Sequence, residues 1–303
     1  MQTIYAMHQR GSDDLAKEER FLVQSVDAIA DLYLLMVSIL LELRAKEIDF
    51  LEKSKNKFLA TAEDIKPNTK FIDNSLLDWL SNHPGLQDEL EQRHISHWQR
   101  NDDCILLLLQ EMKQSDLYMT YMESDERSFI EDRQFICNLF EKVIAPNEIL
   151  YGFLEDYRLT WLDDLPLVNT ELLKQLQKLN PAKSNFSVPK PYKDEDDHEF
   201  MIDLFRKTVL NEKKLIALFE GKTPNWDLER IAEIDTILVK MALCEMLRFS
   251  SVPVKVTLNE YVEIAKEYST PKSSVFLNGL LDTLAKELKE SGDIVKTGRG
   301  LKE

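Results

Sequence analysis

Glycine and proline are scarce in this chain: 8 and 10 residues of 303. Few turns can therefore be built on them, and no stretch alternates apolar and polar residues with β-branched enrichment for long. A sandwich or barrel of many short strands is excluded on both counts. Cysteine is scarcer still, at 3 residues. Cys104, Cys137 and Cys244 lie far apart in apolar helical contexts, which excludes a disulfide framework and reads as buried thiols of an intracellular protein. Basic residues are outnumbered, 38 against 54, for a net charge of −16. Wholesale nucleic-acid binding through bulk charge is excluded. Long apolar runs are also missing. The most apolar one, "LYLLMVSILL" at 32–41, is too short to span a bilayer and is flanked by Asp31 and Glu42. The start has no basic segment followed by a cleavage site, so no signal peptide is expected. These features predict a soluble, cytoplasmic protein with no membrane partner.

The motifs of catalysis are missing too. There is no G-x-G-x-x-G, no G-x-x-x-x-G-K-[ST] and no G-x-S-x-G, and no Ser or Cys has a His in a site context. Two Glu-x-x-His spacings, Glu91–His94 and Glu195–His198, resemble half of a di-iron set. Glu195, however, lies in a Pro-rich acidic stretch where no continuous helix is expected, and Glu91–His94 sits in the polar "ELEQRHISHWQR". Both read as solvated charge. His94–His97 lacks a third ligand. No enzyme activity, metal or cofactor is expected.

What is abundant is Leu, Glu, Lys, Met and Gln, and the fold is predicted to be all-α, a helical bundle. A first helix covers 1–9 and breaks at Gly11-Ser12-Asp13-Asp14. In the next, Leu22, Val26, Ile29, Tyr33, Met36, Leu40 and Leu43 form one 4-3-4-3 stripe, suited to a bundle core or to a self-associating coiled coil. Further helices are expected near 70–82, 86–123, 126–144, 147–162, 169–179, 198–220, 226–234, 235–249, 258–268 and 272–290. Residues 181–197, "PAKSNFSVPKPYKDEDD", read as a linker. Thr257 and Glu260 fit a capping box, with Val256 and Tyr261 as its hydrophobic staple. Thr270-Pro271 fits an N-cap followed by Pro at N1. The tail "SGDIVKTGRGLKE" is expected to fray.

Charge is uneven. Residues 222–303 hold 12 basic and 13 acidic side chains, leaving net −15 on residues 1–221. A local basic face on the C-terminal third is thus permitted. Lys240, Lys255, Lys266, Lys272, Ser273, Ser274 and Asn278 could meet phosphates and bases, with Tyr5, Tyr268 and Phe276 as stacking surfaces. An ordinary helical surface with scattered lysines is the alternative. The pair Asn278-Gly279 inside an apolar helix weakens that helix. Gly279 suits a close helix–helix approach. Asn278 suits either a base edge or the cap of a neighbouring helix end.

The stretch "ILVKMALCEMLRFSSVPVKVTLNEYVEIAKEYSTPKSSVFLNGLLDTL", residues 237–284, resembles the C-terminal half of the NusB family of bacterial transcription antitermination factors. The resemblance lies in Ala242-Leu243-x-Glu245-Met246, Val252-Pro253-x-Lys255-Val256-x-Leu258-Asn259-Glu260, Ile264-Ala265-Lys266 and Phe276-Leu277-Asn278-Gly279-Leu280-Leu281-Asp282. Phe205-Arg206 fits an earlier family helix more weakly. "MQTIYAMHQ" is similar to the end of the family's first helix.

The resemblance implies residues 1–14 as the end of a first NusB-like helix, 15–180 as a helical insertion, 181–197 as linker and 198–303 as the NusB-like RNA-binding domain. The insertion's share of the −15 charge and its apolar stripe predict that it packs on the NusB-like core and does not bind RNA. It implies a transcription regulator that binds single-stranded boxA-like RNA in nascent ribosomal transcripts. Its partners would be the small-subunit ribosomal protein NusE and the RNA polymerase antitermination complex, and its effect would fall on transcription termination. A scaffold that has lost RNA binding and docks proteins through its acidic insertion is the alternative. By position, the implied RNA contacts are Gln2, Tyr5, Asp235, Lys240, Lys272, Phe276 and Asn278. Lys272 stands where relatives often carry an acidic residue. Replacing Lys240 or Lys272 by Glu should weaken RNA binding without unfolding the protein. An arginine-rich segment precedes the first helix in relatives, so the natural protein is expected to begin upstream of Met1.

Overall fold

The computed structural model describes residues 1–57, 61, 65–220 and 232–302. Among these, secondary structure is helical and there are no strands. The chain divides into two compact units, Ser25–Pro191 and Met1–Gln24 with Tyr192–Glu303.

Within Ser25–Pro191 the organising element is α2 (Leu15–Lys55), whose first ten residues belong to the other unit. Residues 32–40 of α2 are buried without a break. The expected stripe is therefore only part of the buried surface. Tyr33, Met36, Leu40 and Leu43 are covered, but so are Leu34, Leu35, Val37 and Ile39 on the other faces. A helix that is apolar all round is a central helix, not a coiled-coil seam. The same fact accounts for the "LYLLMVSILL" run. Among the described residues no helix is long and apolar enough to cross a membrane.

Around it stand α3 (Ser75–Asn82), α4 (Pro84–Gln92), α5 (Asp102–Gln114), α6 (Asp116–Glu123), α7 (Phe129–Leu139), α8 (Glu148–Tyr157) and α9 (Trp161–Lys178). The single helix expected over 86–123 is three helices and a 3-10 turn (His97–Arg100). Two local features break it. His94 has a left-handed φ of 55° just past α4. The Ser115 hydroxyl accepts from the Tyr118 amide at 3.2 Å and starts α6 afresh. The three cysteines are buried and free, and burial raises each thiol above its ordinary range.

The other unit contains α1 (Gln2–Arg10), α10 (Glu195–Leu210), α11 (Glu212–Phe219), α12 (Glu233–Arg248), α13 (Val254–Tyr268) and α14 (Pro271–Glu290). The helix expected at 226–234 falls mostly outside the described residues. The linker expectation fails at its end, because Glu195 opens α10. Asp194 accepts from the Asp197 amide at 3.3 Å, and three acidic residues occupy the first turn, where the helix dipole favours them. Asn211 then separates α10 from α11, which were expected to be continuous. Gly11, at φ 58°, ends α1 as expected.

The core of this unit joins Leu238, Leu243 and Met246 of α12 to Tyr261 and Ala265 of α13 and Leu277, Leu281 and Leu284 of α14. Ile4 and Met7 of α1 cluster with Phe205 of α10 and Ile237 of α12.

α13 begins one turn earlier than expected, at Val254 behind Pro253. The capping box is accordingly not formed. Thr257 is fully buried, and its hydroxyl donates to Glu245 Oε1 at 2.6 Å instead of capping. Val256 is 44% exposed, so no staple forms either. The tail does not fray. Thr297 N donates to Ser250 O at 2.9 Å, and Lys296 Nζ donates to Phe249 O at 2.9 Å. Gly300 closes this strap: a Cβ there would stand 2.0 Å from Ser250 O, so only glycine fits.

Candidate functional site

The face that sets the unit apart belongs to α14. Thr270 Oγ1 accepts from the Ser273 amide at 3.1 Å and Pro271 takes the first helical position, as expected from the dipeptide. Leu277, Leu280, Leu281, Leu284 and Leu288 turn inward. Val275, apolar like them, points the other way and is 75% exposed. Lys272, Asn278 and Gly279 are exposed with it. Their spacing of three, four and seven puts them on one side of the helix.

A Cβ at Gly279 would meet nothing within 4 Å, which overturns the close-approach reading of that glycine. Asn278, being exposed, caps no buried helix end. Packing therefore does not explain a pair of poor helix formers here. What it leaves is a helix surface with an open backbone, an amide and an ammonium.

The other expected contacts divide sharply. Gln2 and Tyr5 are exposed on α1, Tyr5 at 37%. Phe276 is half-buried and packs on the core of the unit. Asp235 and Lys240 of α12 are corrections, being 3% and 2% exposed. Lys240 Nζ is ion-paired with Glu212 of α11. The same carboxylate faces His8 Nε2 at 3.1 Å, and His8 Nδ1 faces Glu233 at 3.0 Å. Lys240 is one member of a clasp joining α1, α11 and α12, with no surface to offer a phosphate. Asp235 Oδ1 has no hydrogen-bond partner among the described residues. Neither Glu-x-x-His pair builds a metal site. His94 lies beyond the end of α4, His198 lies between Glu195 at 3.4 Å and the ring of Tyr192, and no group of three ligands occurs among the described residues.

Residue-by-residue reading missed a buried carboxylate. Glu245 accepts from Thr257 Oγ1 at 2.6 Å and from Tyr261 Oη at 3.2 Å. The available signal was a lone Glu inside the apolar run "MALCEML". Burial raises its carboxyl above the ordinary value, against the two hydroxyl donors and Lys296, which lower it. The folded state therefore holds this proton more tightly than the unfolded chain. Its stabilising effect is complete below the unfolded value of about 4.3 and is lost as pH rises through the raised folded value. Glu245→Gln, uncharged at every pH, is expected to show a higher urea midpoint than the wild type at pH 7. The gap should close towards pH 4. An equal gap at both pH values would contradict a carboxylate destabilised by burial.

The sequence model of the NusB family matches residues 168–286. Over 108 residues the chain is 43% identical to the transcription antitermination protein NusB of Salinibacter ruber, covering 36% of this chain and 68% of that protein. Over 103 residues it is 42% identical to NusB of Chloroherpeton thalassium, covering 34% and 49%. Over 96 residues it is 31% identical to NusB of Natranaerobius thermophilus, covering 32% and 69%. All three are described as transcription antitermination proteins and none as an enzyme. No solved structure matches significantly. The similarity covers about a third of this chain and more than two thirds of two relatives, and the rest of the chain adds further helices. On that coverage, the chain belongs to the NusB family.

Proposed function

We propose that the protein is a non-catalytic RNA-binding antitermination factor. It takes single-stranded, boxA-type RNA of nascent ribosomal transcripts together with the small-subunit ribosomal protein NusE, and so biases termination by RNA polymerase. The observation that carries this reading is the exposed α14 face of Lys272, Val275, Asn278 and Gly279. Three of the four suit parts of an unstacked nucleotide. The Asn278 amide can donate and accept at a base edge, Lys272 can meet a phosphate, and Gly279 lets the strand lie against the helix backbone. Tyr5 offers a partly exposed ring for stacking. A net charge of −16 gives little non-specific attraction, so a ribosomal partner would supply part of the affinity.

Lys272 tests this without disturbing the core, being exposed at the start of α14. Lys272→Glu is expected to lower the affinity for boxA-type RNA and to reduce the slope of log K against log salt by about 0.7, the share of one single-strand phosphate contact. Urea unfolding should not change. An unchanged slope and affinity would remove Lys272 from the RNA face. Lys240, buried in its ion pair, is no longer a candidate for this test.

A further inference from the structure

The strapped tail creates a feature that the α14 face does not account for. The end of α14, the start of α13 and residues 294–302 enclose a cavity of about 660 Å³. Its described lining includes Lys255, Lys289, Lys296 and Lys302, with no Asp or Glu among the described residues. In a chain of net charge −16 this is a local reversal of sign. Val254, Ile294, Val295, Gly300 and Leu301 complete the walls, so among the described residues the lining holds no aromatic ring and no side-chain amide.

We propose that this cavity is a phosphate-binding site that takes backbone phosphates of single-stranded RNA without reading bases. The proposal rests on the RNA-binding reading above and adds a second contact region to it. The walls decide the chemistry. Ammonium groups meet phosphate as point charges, whereas base recognition needs stacking surfaces or amide and guanidinium forks, and none lines the cavity.

Lys296 is held in place by its bond to Phe249 O at 2.9 Å, which leaves two of its three N–H donors for a ligand. Burial lowers its ammonium below the ordinary lysine range, a penalty that a bound anion would relieve. Gly300 is the keystone. Its close approach to Ser250 O sets the strap on which Lys296 and Lys302 stand, which gives this tail glycine a role in building the cavity.

The cavity is distinct from the α14 face. Lys272 and Lys289 lie at opposite ends of one helix, 17 residues and about 25 Å apart along its axis. An RNA touching both would run the length of α14.

The test uses the full chain and the double variant Lys255→Gln, Lys302→Gln, both positions exposed and neither a packing residue. With single-stranded RNA, the slope of log K against log salt is expected to fall by about 1.4, two contacts at about 0.7 each. Affinity should drop by the same factor for boxA-type and scrambled sequences. In a second arm, inorganic pyrophosphate is titrated while backbone amide NMR signals are followed. Shifts at 254–255 and 296–302 in the wild type, absent in the double variant, are the expected result. RNA binding by the wild type with an unchanged slope in the variant overturns the proposal. If the wild type binds no RNA, the functional reading fails by itself and the pyrophosphate arm decides the site. Shifts keep an anion site and remove RNA as its ligand; no shifts overturn the site altogether.

Discussion

Lys240→Glu is expected to destabilise the Met1–Gln24 and Tyr192–Glu303 unit by about 3–5 kcal/mol, the scale seen when one partner of a buried ion pair is removed. Lys240 is 2% exposed and its ammonium is paired with Glu212. A carboxylate in its place would lose that attraction and set a buried like charge against the partly exposed Glu212. Glu233 lies close by, through His8, and adds to the negative charge. A loss of this size is a large fraction of the roughly 5–15 kcal/mol that holds a domain together. Lys240→Met should cost less, because Glu212 keeps His8 and its side chain is 31% exposed, so it can be hydrated. Urea denaturation followed by circular dichroism reads both variants. If Lys240→Glu unfolded within 1 kcal/mol of the wild type, the buried clasp would be wrong and the lysine would be back on the surface.

At Gly279 and Asn278 stability and binding are expected to move in opposite directions. Gly279→Leu places a good helix former where a Cβ meets nothing, so the helix should gain about 1 kcal/mol. Asn278→Ala should gain a few tenths of that for the same reason. Yet a branched side chain at 279 stands where the RNA backbone would lie, and alanine at 278 removes the amide. Each is expected to cost about 1–3 kcal/mol of RNA binding, at least several-fold in affinity. Thermal melts and anisotropy titrations on the same preparations check both halves. Unchanged affinity in both variants would leave the α14 face without a ligand, whatever happened to stability.

Much of the helical architecture was legible because it follows from local rules. Gly11 stops α1, and Thr270-Pro271 starts α14. What was not legible depends on partners distant in sequence. Thr257 and Glu260 satisfy a capping pattern, but Glu245, twelve residues before Thr257, takes its hydroxyl into the core. Lys240 looks like any surface lysine until Glu212 and His8 arrive from two other helices. Gly279 looks like a packing glycine and Gly300 like a loose tail, and the structure reverses the two. For a glycine the deciding fact is what lies beyond the missing side chain, which no local pattern encodes.

The family resemblance reached exposed and buried positions alike, because alignment by position carries no information about burial. It placed Tyr5, Lys272 and Asn278 on the surface, and it also placed Asp235 and Lys240, which are buried.

On the proposed function, the chain binds boxA-type single-stranded RNA, and more tightly when NusE is present. The direct measurement is a titration of the full chain against a boxA-type RNA and a scrambled RNA of equal length, at fixed salt, with and without NusE. The expected result is tighter binding of the boxA-type strand by roughly tenfold or more, a further gain when NusE is present, and loss of the discrimination in Asn278→Ala. Equal affinity for the two RNAs with NusE present, or no binding to either, would contradict it.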